Sequence, residues 1–388
     1  MKLKAPLAWV TVDLRAIDHN IKQFRQLQKP GTKIIAVVKA NAYGHGMFEV
    51  ALQTLRSGAD MLGVVNANEA LILRKKGIIK PIVVLGVTAK DEMLELIKQK
   101  VSFAVCDQQS LNDATRVANI IRKTALLHIK IETGINRLGF IPDDVSVAIK
   151  KIKQHRWLEL EGIFTHLASV EELNTSYTKA QLFQFDKVLA RIAKKDIGVN
   201  WQDVPYVSAA ASAAAMLVPD SRYNTIRLGI AMYGLWPSRG VEAWAKKSPK
   251  TRKIKLKPSL KYKTKLVAIK RIPAGSFVGY GSTFQAPKAM TLGVVPIGYA
   301  EGIDRNLSNM GFMLLKGAVV PIVGRVCMNM TILDISKRPK SNLGSEVIFI
   351  GQSSNKHISA TDVGDWAGTI NYEITTRIPE QVVRIYQK

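Results

Sequence analysis

The chain predicts an α/β architecture: an N-terminal (β/α)8 barrel with a C-terminal mostly antiparallel β domain. Three observations carry that expectation. Between residues 34 and about 230, eight short, apolar, β-branched runs alternate with helical stretches that repeat apolar residues every three or four positions. After about residue 240 the rhythm changes to strand-like runs joined by Gly, Pro and Asn turns. No glycine fingerprint of a dinucleotide fold follows the first run, which argues against a doubly wound open sheet.

In order, the barrel strands are expected at IIAVV (34–38), MLGVV (61–65), PIVVL (81–85), SFAVC (102–106), LLHIKI (126–131), ELEGIFTH (159–166), VPYVS (204–208) and TIRLG (225–229). They are nearly all apolar, as parallel strands covered on both faces should be. NEALILRKKG and QLFQFDKVLARIAKK show the helical spacing between them. Further on, LVAIKRIPAGSFVGYGSTF, MTLGVVPIGYA, GAVVPIVGRVCMNMTILDI and GSEVIFIG read as strands, with a late helix near 360–370. The expected domains are 12–240 for the barrel and 241–388 for the β domain, with residues 1–11, around LAWVTVDL, pairing with the latter.

With 388 residues, of which 47% are apolar, the chain has enough material for two folded domains. Cys106 and Cys327 form neither a disulfide framework nor a zinc pattern, and no metal-ligand cluster is present in the sequence. The N-terminus is basic and then apolar, but Pro6 and Asp13 interrupt it, which makes a poor signal peptide. No apolar run is long enough for a bilayer span, so no membrane partner is expected.

The formal charge is +26, and Lys246–Arg271 carries twelve basic residues and no acid. Such a field attracts anions. However, no aromatic interleaving or nucleic-acid motif accompanies it, so it reads as solvated basic strand faces, with KIKLK and KYKTKLVAIK alternating at period two. No specific nucleic acid is expected.

Barrel enzymes gather catalytic groups at the C-terminal ends of their strands. Those ends supply Lys39, Asn66, Asp107, Lys130, His166, Ser208 and Arg227. A desolvated lysine becomes a nucleophilic amine suited to Schiff-base chemistry; a lysine snorkelling from a strand end is equally consistent with the spacing. A lone histidine such as His166 is more often structural. Ser212 stands where a helix should start after strand seven, and Gly229 follows strand eight. These two loops often build a phosphate site in barrels, which raises that reading above a simple helix cap.

AVVKANAYGHG, IETGINRLGF, IRLGIAMYGLWP, VGYGSTF, VPIGYAEG, GRVCMNM and INYEITTRIPEQVVRIY occur in the order and spacing of one family. The chain resembles alanine racemase, a fold-type III pyridoxal-phosphate enzyme, from about residue 7 to its C-terminus. The resemblance implies pyridoxal 5'-phosphate as cofactor, alanine as substrate, a homodimer with shared active sites, a cytoplasmic location and supply of D-alanine for peptidoglycan. It implies that Lys39 holds the cofactor and acts as one base, and that Tyr280, from the other subunit, is the second. Arg227 would bond the pyridine nitrogen and His166 would help orient it. Tyr43, Ser212, Gly229, Ile230 and Tyr372 would hold the phosphate. Arg137 and Met328 would face the substrate, the latter from the partner. Lys130 matches a lysine that is carbamylated in some members. Ser208, Ala211 and Asn329 depart from the His, Asn and Asp that relatives often carry.

Two bases suit the reaction, because a single base tends to return a proton to the face it left. A serine or broad-specificity racemase is the near alternative. A fold-type III decarboxylase would carry a glutamate at the position of Arg227. A barrel-only cofactor carrier would be much shorter.

Overall fold

The computed structural model describes residues 6–388 apart from Pro339. Two compact units emerge. One comprises residues 17–40 and 48–257; the other comprises 1–16, 41–47 and 258–388.

In the first unit all eight expected strands form: Lys33–Val37, Met61–Val64, Ile82–Val84, Ser102–Val105, Ala125–Lys130, Leu158–Phe164, Tyr206–Ser208 and Thr225–Leu228. Each pairs in parallel with its sequence neighbour as far as the seventh, and the eighth pairs with the first, Lys33 opposite Thr225. The last two lie at the ends of the hydrogen-bonded order, and Arg227 N spans them by donating to Ala210 O at 2.9 Å. This sequential order has no switch point, so the barrel reading holds and the doubly wound sheet does not. Ile35, Met61, Val83 and Tyr206 form one core cluster inside it.

A buried polar cluster crosses the barrel core. In the fifth and sixth strands the register slips, so that Leu127 faces Leu160 but His128 faces Gly162, leaving Glu161 as the extra residue. His128 Nε2 meets Glu161 Oε2 at 2.9 Å, and Ser102 Oγ donates to the same oxygen. The His128 ring stacks on Tyr206 at 5.8 Å. A Cβ on Gly162 would stand 2.2 Å from His128 Nδ1, so only glycine lets the ring lie there.

Burial opposes ionisation of Glu161, but the bonds from His128 and Ser102 and the Lys33 charge prevail and hold its carboxyl below the usual range. A depressed carboxyl pKa contributes stability that is full above the unfolded value and is lost as pH falls through the folded one. Glu161→Ala, which leaves two buried groups without their acceptor, should cost about 3 kcal/mol. Urea unfolding at neutral pH and near pH ~3 should show wild type losing stability on acidification that Glu161→Gln has already lost. Parallel losses in the two proteins would contradict this account.

The second unit is mostly antiparallel. Its seven-stranded sheet runs 318–321, 312–315, 346–353, 260–265, 8–13 and 383–387, with 356–358 on the edge of 346–353. Only the 8–13 and 383–387 pair is parallel within it. The expectation for residues 1–11 extends over residues 1–5, which lie outside the described residues. Strands 268–272, 290–295 and 331–334 make a second sheet, and 277–278 pairs with 284–285. The late helix Ala360–Ala367 opens on a Ser359–Asp362 capping box and ends at Gly368.

The basic run divides. In Leu260–Lys265 the even positions are buried, while Lys261, Lys263 and Lys265 share the other face, with Lys263 3.1 Å from Glu346. KIKLK (253–257) is not a strand, contrary to its period-two pattern. Its backbone is taken up by side chains of the helix Leu14–Leu27: Lys255 N by Gln23, and Lys257 N by Asn20 Oδ1 at 2.8 Å. No described helix is long and apolar enough to cross a membrane.

Candidate active site

Lys39 lies two residues past the first barrel strand, and its side chain is half-buried and has no ion pair or hydrogen bond among the described residues. Burial lowers its basicity and the Arg137 charge lowers it further, partly opposed by Glu69. Glu69 itself ties the first two loops together: one oxygen accepts from Ala40 N at 2.7 Å and the other from Val65 N at 2.9 Å.

After Lys39 the backbone turns left-handed. Ala40, Asn41, Ala42 and Tyr43 all hold φ between 51° and 53°. That conformation costs roughly 1–2 kcal/mol per non-glycine residue, so the surroundings must enforce it. Within the second unit, Arg384 Nη2 donates to Gly44 O at 3.0 Å, and Met47 N to Asn41 Oδ1 at 2.8 Å. A Cβ on Gly44 would lie 2.0 Å from Thr375 O, and one on Gly46 1.8 Å from Tyr386 Oη. His45 is buried and held down to about 4 by desolvation, so it is neutral and its Nδ1 sits 3.0 Å from the Ala42 and Tyr43 carbonyls. The glycines and the histidine of NAYGHG therefore serve the turn. Tyr43 is buried, its ring 6.1 Å from that of Tyr372.

Arg227, on the eighth strand, is 5% exposed. Its Nη1 donates to Ser208 O at 2.9 Å and to Ser208 Oγ; its Nη2 donates to Thr165 O at 2.6 Å and Ala209 O at 3.2 Å, and approaches His166 Nδ1 at 3.4 Å. The Nε hydrogen has no acceptor among the described residues. Burial pushes the guanidinium down to about 10, still far above neutrality, so it remains a cation that only donates. His166 is held down to about 3 by burial and by the charges of Arg227, Arg137, Lys130 and Lys39. A neutral imidazole beside Arg227 follows.

Lys130 is 4% exposed. It shares the Phe164 ring with Arg227, at 5.9 Å and 5.2 Å from the centroid. Burial lowers its basicity; Arg137 and Arg227 add to this, against Cys106 and Glu132. Ser212 Oγ accepts from Gly229 N at 3.1 Å and Ala231 N at 3.4 Å, joining the loops after strands seven and eight. Ile230 is buried in the same turn. Asn66 and Asp107 are helix caps, accepting from Glu69 N and Ser110 N. Ser208, the departure from histidine, is an acceptor for Arg227.

In the second unit Tyr280 is 72% exposed, set between Gly279 (φ 76°) and Gly281 (φ 71°). Met328 is exposed on a loop locked to VPIGYAEG: Tyr299 N donates to Cys327 O at 3.0 Å and Ala300 N to Met328 O at 2.9 Å. Asn329 Nδ2 donates to Glu301 Oε1 at 2.8 Å, a bond an ionised aspartate could not make.

Sequence reasoning missed Glu69, Thr133, Thr165 and Gln181. Only Gln181 left a trace: it stands on the helix face that continues as Leu182, Phe185, Leu189 and Ile192, where a buried polar residue must be bonded.

The fold is that of a barrel enzyme, with a half-buried lysine amine just past the carboxyl end of its first strand. Family models described as "Alanine racemase, N-terminal domain" and "Alanine racemase, C-terminal domain" match residues 12–237 and 259–386. The alanine racemase of Desulfosudis oleivorans is 37% identical over 388 residues, 98% of this chain and 96% of that protein. That of Methanococcus maripaludis is 37% identical over 379 residues, 97% of this chain and 98% of that protein. A crystal structure of Bacillus anthracis alanine racemase with bound L-Ala-P aligns at a TM-score of 0.91 and 35% identity, covering 100% of this chain and 96% of that one. The chain belongs to the alanine racemase family.

Proposed function

We propose that the chain interconverts L-alanine and D-alanine by moving a proton between the two faces of Cα, with pyridoxal 5'-phosphate as cofactor and Lys39 and Tyr280 as the two bases. The observation that carries the reading is the Lys39 amine: desolvated, beside a guanidinium and bonded to no carboxylate. Such an amine holds less tightly to its proton than an ordinary lysine does, as both a nucleophile and a base require.

The residues present fit the cofactor. Arg227 keeps a free Nε hydrogen for a ring nitrogen, and His166 is neutral beside it. The Ser212 hydroxyl, which accepts from Gly229 N and keeps its own hydrogen to donate, and the Ile230 amide suit a phosphate held against the Gly229 turn, with Tyr43 and Tyr372 assigned the same role by the resemblance. When bound, the cofactor supplies the electron sink that makes the Cα–H acidic. Lys39 anchors it and exchanges a proton at one face; Tyr280 exchanges one at the other. Arg137 and Met328 take the substrate carboxylate and methyl side.

Tyr280 and Met328 are reached from a second copy of the chain. Their exposure, together with that of Phe277, Met330 and Tyr299 in the same unit, supports a homodimer that covers them. A cytoplasmic location and D-alanine supply for peptidoglycan complete the reading.

The test is an absorbance spectrum of the protein loaded with pyridoxal 5'-phosphate, before and after borohydride, with mass mapping. The cofactor mass should appear on the peptide containing Lys39 and racemisation should stop. Modification of a different lysine with activity lost, or no uptake at all, would overturn it.

A further inference from the structure

We propose that Gln181 is a positioning residue for the reaction: its carboxamide bolts together the loops after the fifth and sixth barrel strands and so fixes Arg227 and the Arg137 loop relative to each other. The proposal rests on the cofactor reading above.

Gln181 lies on the helix Thr175–Ile192, is 1% exposed, and has both ends of its amide engaged. Its Oε1 accepts from Ala168 N at 2.8 Å; its Nε2 donates to His166 O at 3.2 Å and to Thr133 Oγ1 at 3.4 Å. Thr133 Oγ1 also meets Thr165 Oγ1 at 2.7 Å. Thr165 O is an acceptor for Arg227 and His166 Nδ1 is its neighbour, so the amide is bonded directly to one residue that borders the guanidinium and reaches the other through Thr133.

On its other side the bolt reaches Arg137. Thr133 is followed by a turn in which the Glu132 carboxylate accepts from Gly134 N at 2.6 Å and Arg137 N at 3.1 Å. Tyr177, four residues before Gln181 and on the same helix face, donates its hydroxyl to Gly134 O at 2.5 Å. Gly134 holds φ 140°, and a Cβ there would meet Tyr177 Oη at 2.7 Å and Gln181 Cγ at 3.3 Å. One helix face thus grips the turn at two points, and glycine is what lets it close.

Neither Gln181 nor Thr133 touches the proposed catalytic groups. A carboxamide is suited to this place because it donates and accepts at once without adding charge next to His166, on which Arg227, Arg137, Lys130 and Lys39 already act. A small displacement of Arg227 or Arg137 reduces turnover without unfolding the barrel, since reacting groups tolerate little misplacement.

The test compares Gln181→Met, which keeps the volume but loses every bond, with Thr133→Val, which cuts only the bridge, and Thr133→Ser, which retains the hydroxyl. Each is loaded with pyridoxal 5'-phosphate and corrected for occupancy. Gln181→Met and Thr133→Val should lower kcat about 10–100-fold, raise KM for alanine, and shift the absorbance of the bound cofactor and its pH titration. Thr133→Ser should restore both readouts. If the two disabling variants melt earlier but keep wild-type turnover per occupied site and an unchanged pH titration, Gln181 is merely structural. Wild type that takes up no cofactor defeats the cofactor reading instead, so the two failures are distinct.

Discussion

Tyr280→Phe is expected to lower racemisation about 10²–10⁴-fold, the usual worth of a positioned acid–base group, while leaving the fold intact. The hydroxyl has no hydrogen bond among the described residues and Tyr280 is 72% exposed in the isolated chain, and surface changes of this kind stay within about 0.5 kcal/mol. Phenylalanine can neither accept nor return a proton. Because the two enantiomers are equal in free energy, kcat/KM must fall by the same factor in both directions. Proton exchange need not. With Lys39 present, one enantiomer should still trade its Cα hydrogen for deuterium from heavy water and return to itself, while the other exchanges slowly. The measurement is deuterium incorporation into each enantiomer beside net racemisation. Full turnover in the variant, or equal exchange of both enantiomers without racemisation, would rule out one base on each face.

The eight barrel strands were legible because their residues are buried on both faces, so apolar runs and turns alone mark them. Lys39 and Arg227 stood out as charges at the ends of such runs. The left-handed turn after Lys39 did not: what holds it is Thr375, Arg384 and Tyr386, more than 300 positions away, and no local pattern reports so distant a contact. The Glu161 cluster was hidden for a related reason. A bulge is set by the pairing of two strands, and ELEGIF read alone shows only alternation. KIKLK misled because alternation is also what an irregular segment shows when its backbone bonds to side chains of a neighbouring helix.

Arg227→Glu is expected to have the second large effect, on both chemistry and stability. Native Arg227 lies among the carbonyls of Thr165, Ser208 and Ala209 and the Ser208 hydroxyl. A carboxylate there faces three carbonyls with only the Ser208 hydroxyl able to donate to it, and a buried uncompensated charge costs about 3–5 kcal/mol. The melting temperature should fall well below that of wild type. The chemical effect is separate. A guanidinium whose pKa is about 10 cannot take up or yield a proton near neutrality, so in the proposed role it would donate to a ring nitrogen without protonating it. A carboxylate would share a proton with that nitrogen and so make the bound cofactor a stronger electron sink, which would slow return of the proton to Cα. The variant should therefore show a long-wavelength absorbance that persists with alanine, and lose racemisation. Arg227→Lys, which keeps the cation with fewer donors in a looser geometry, should melt early as well but show no such band. A loaded Arg227→Glu protein with the wild-type spectrum and rate would remove the ring-nitrogen role, whatever its melting temperature.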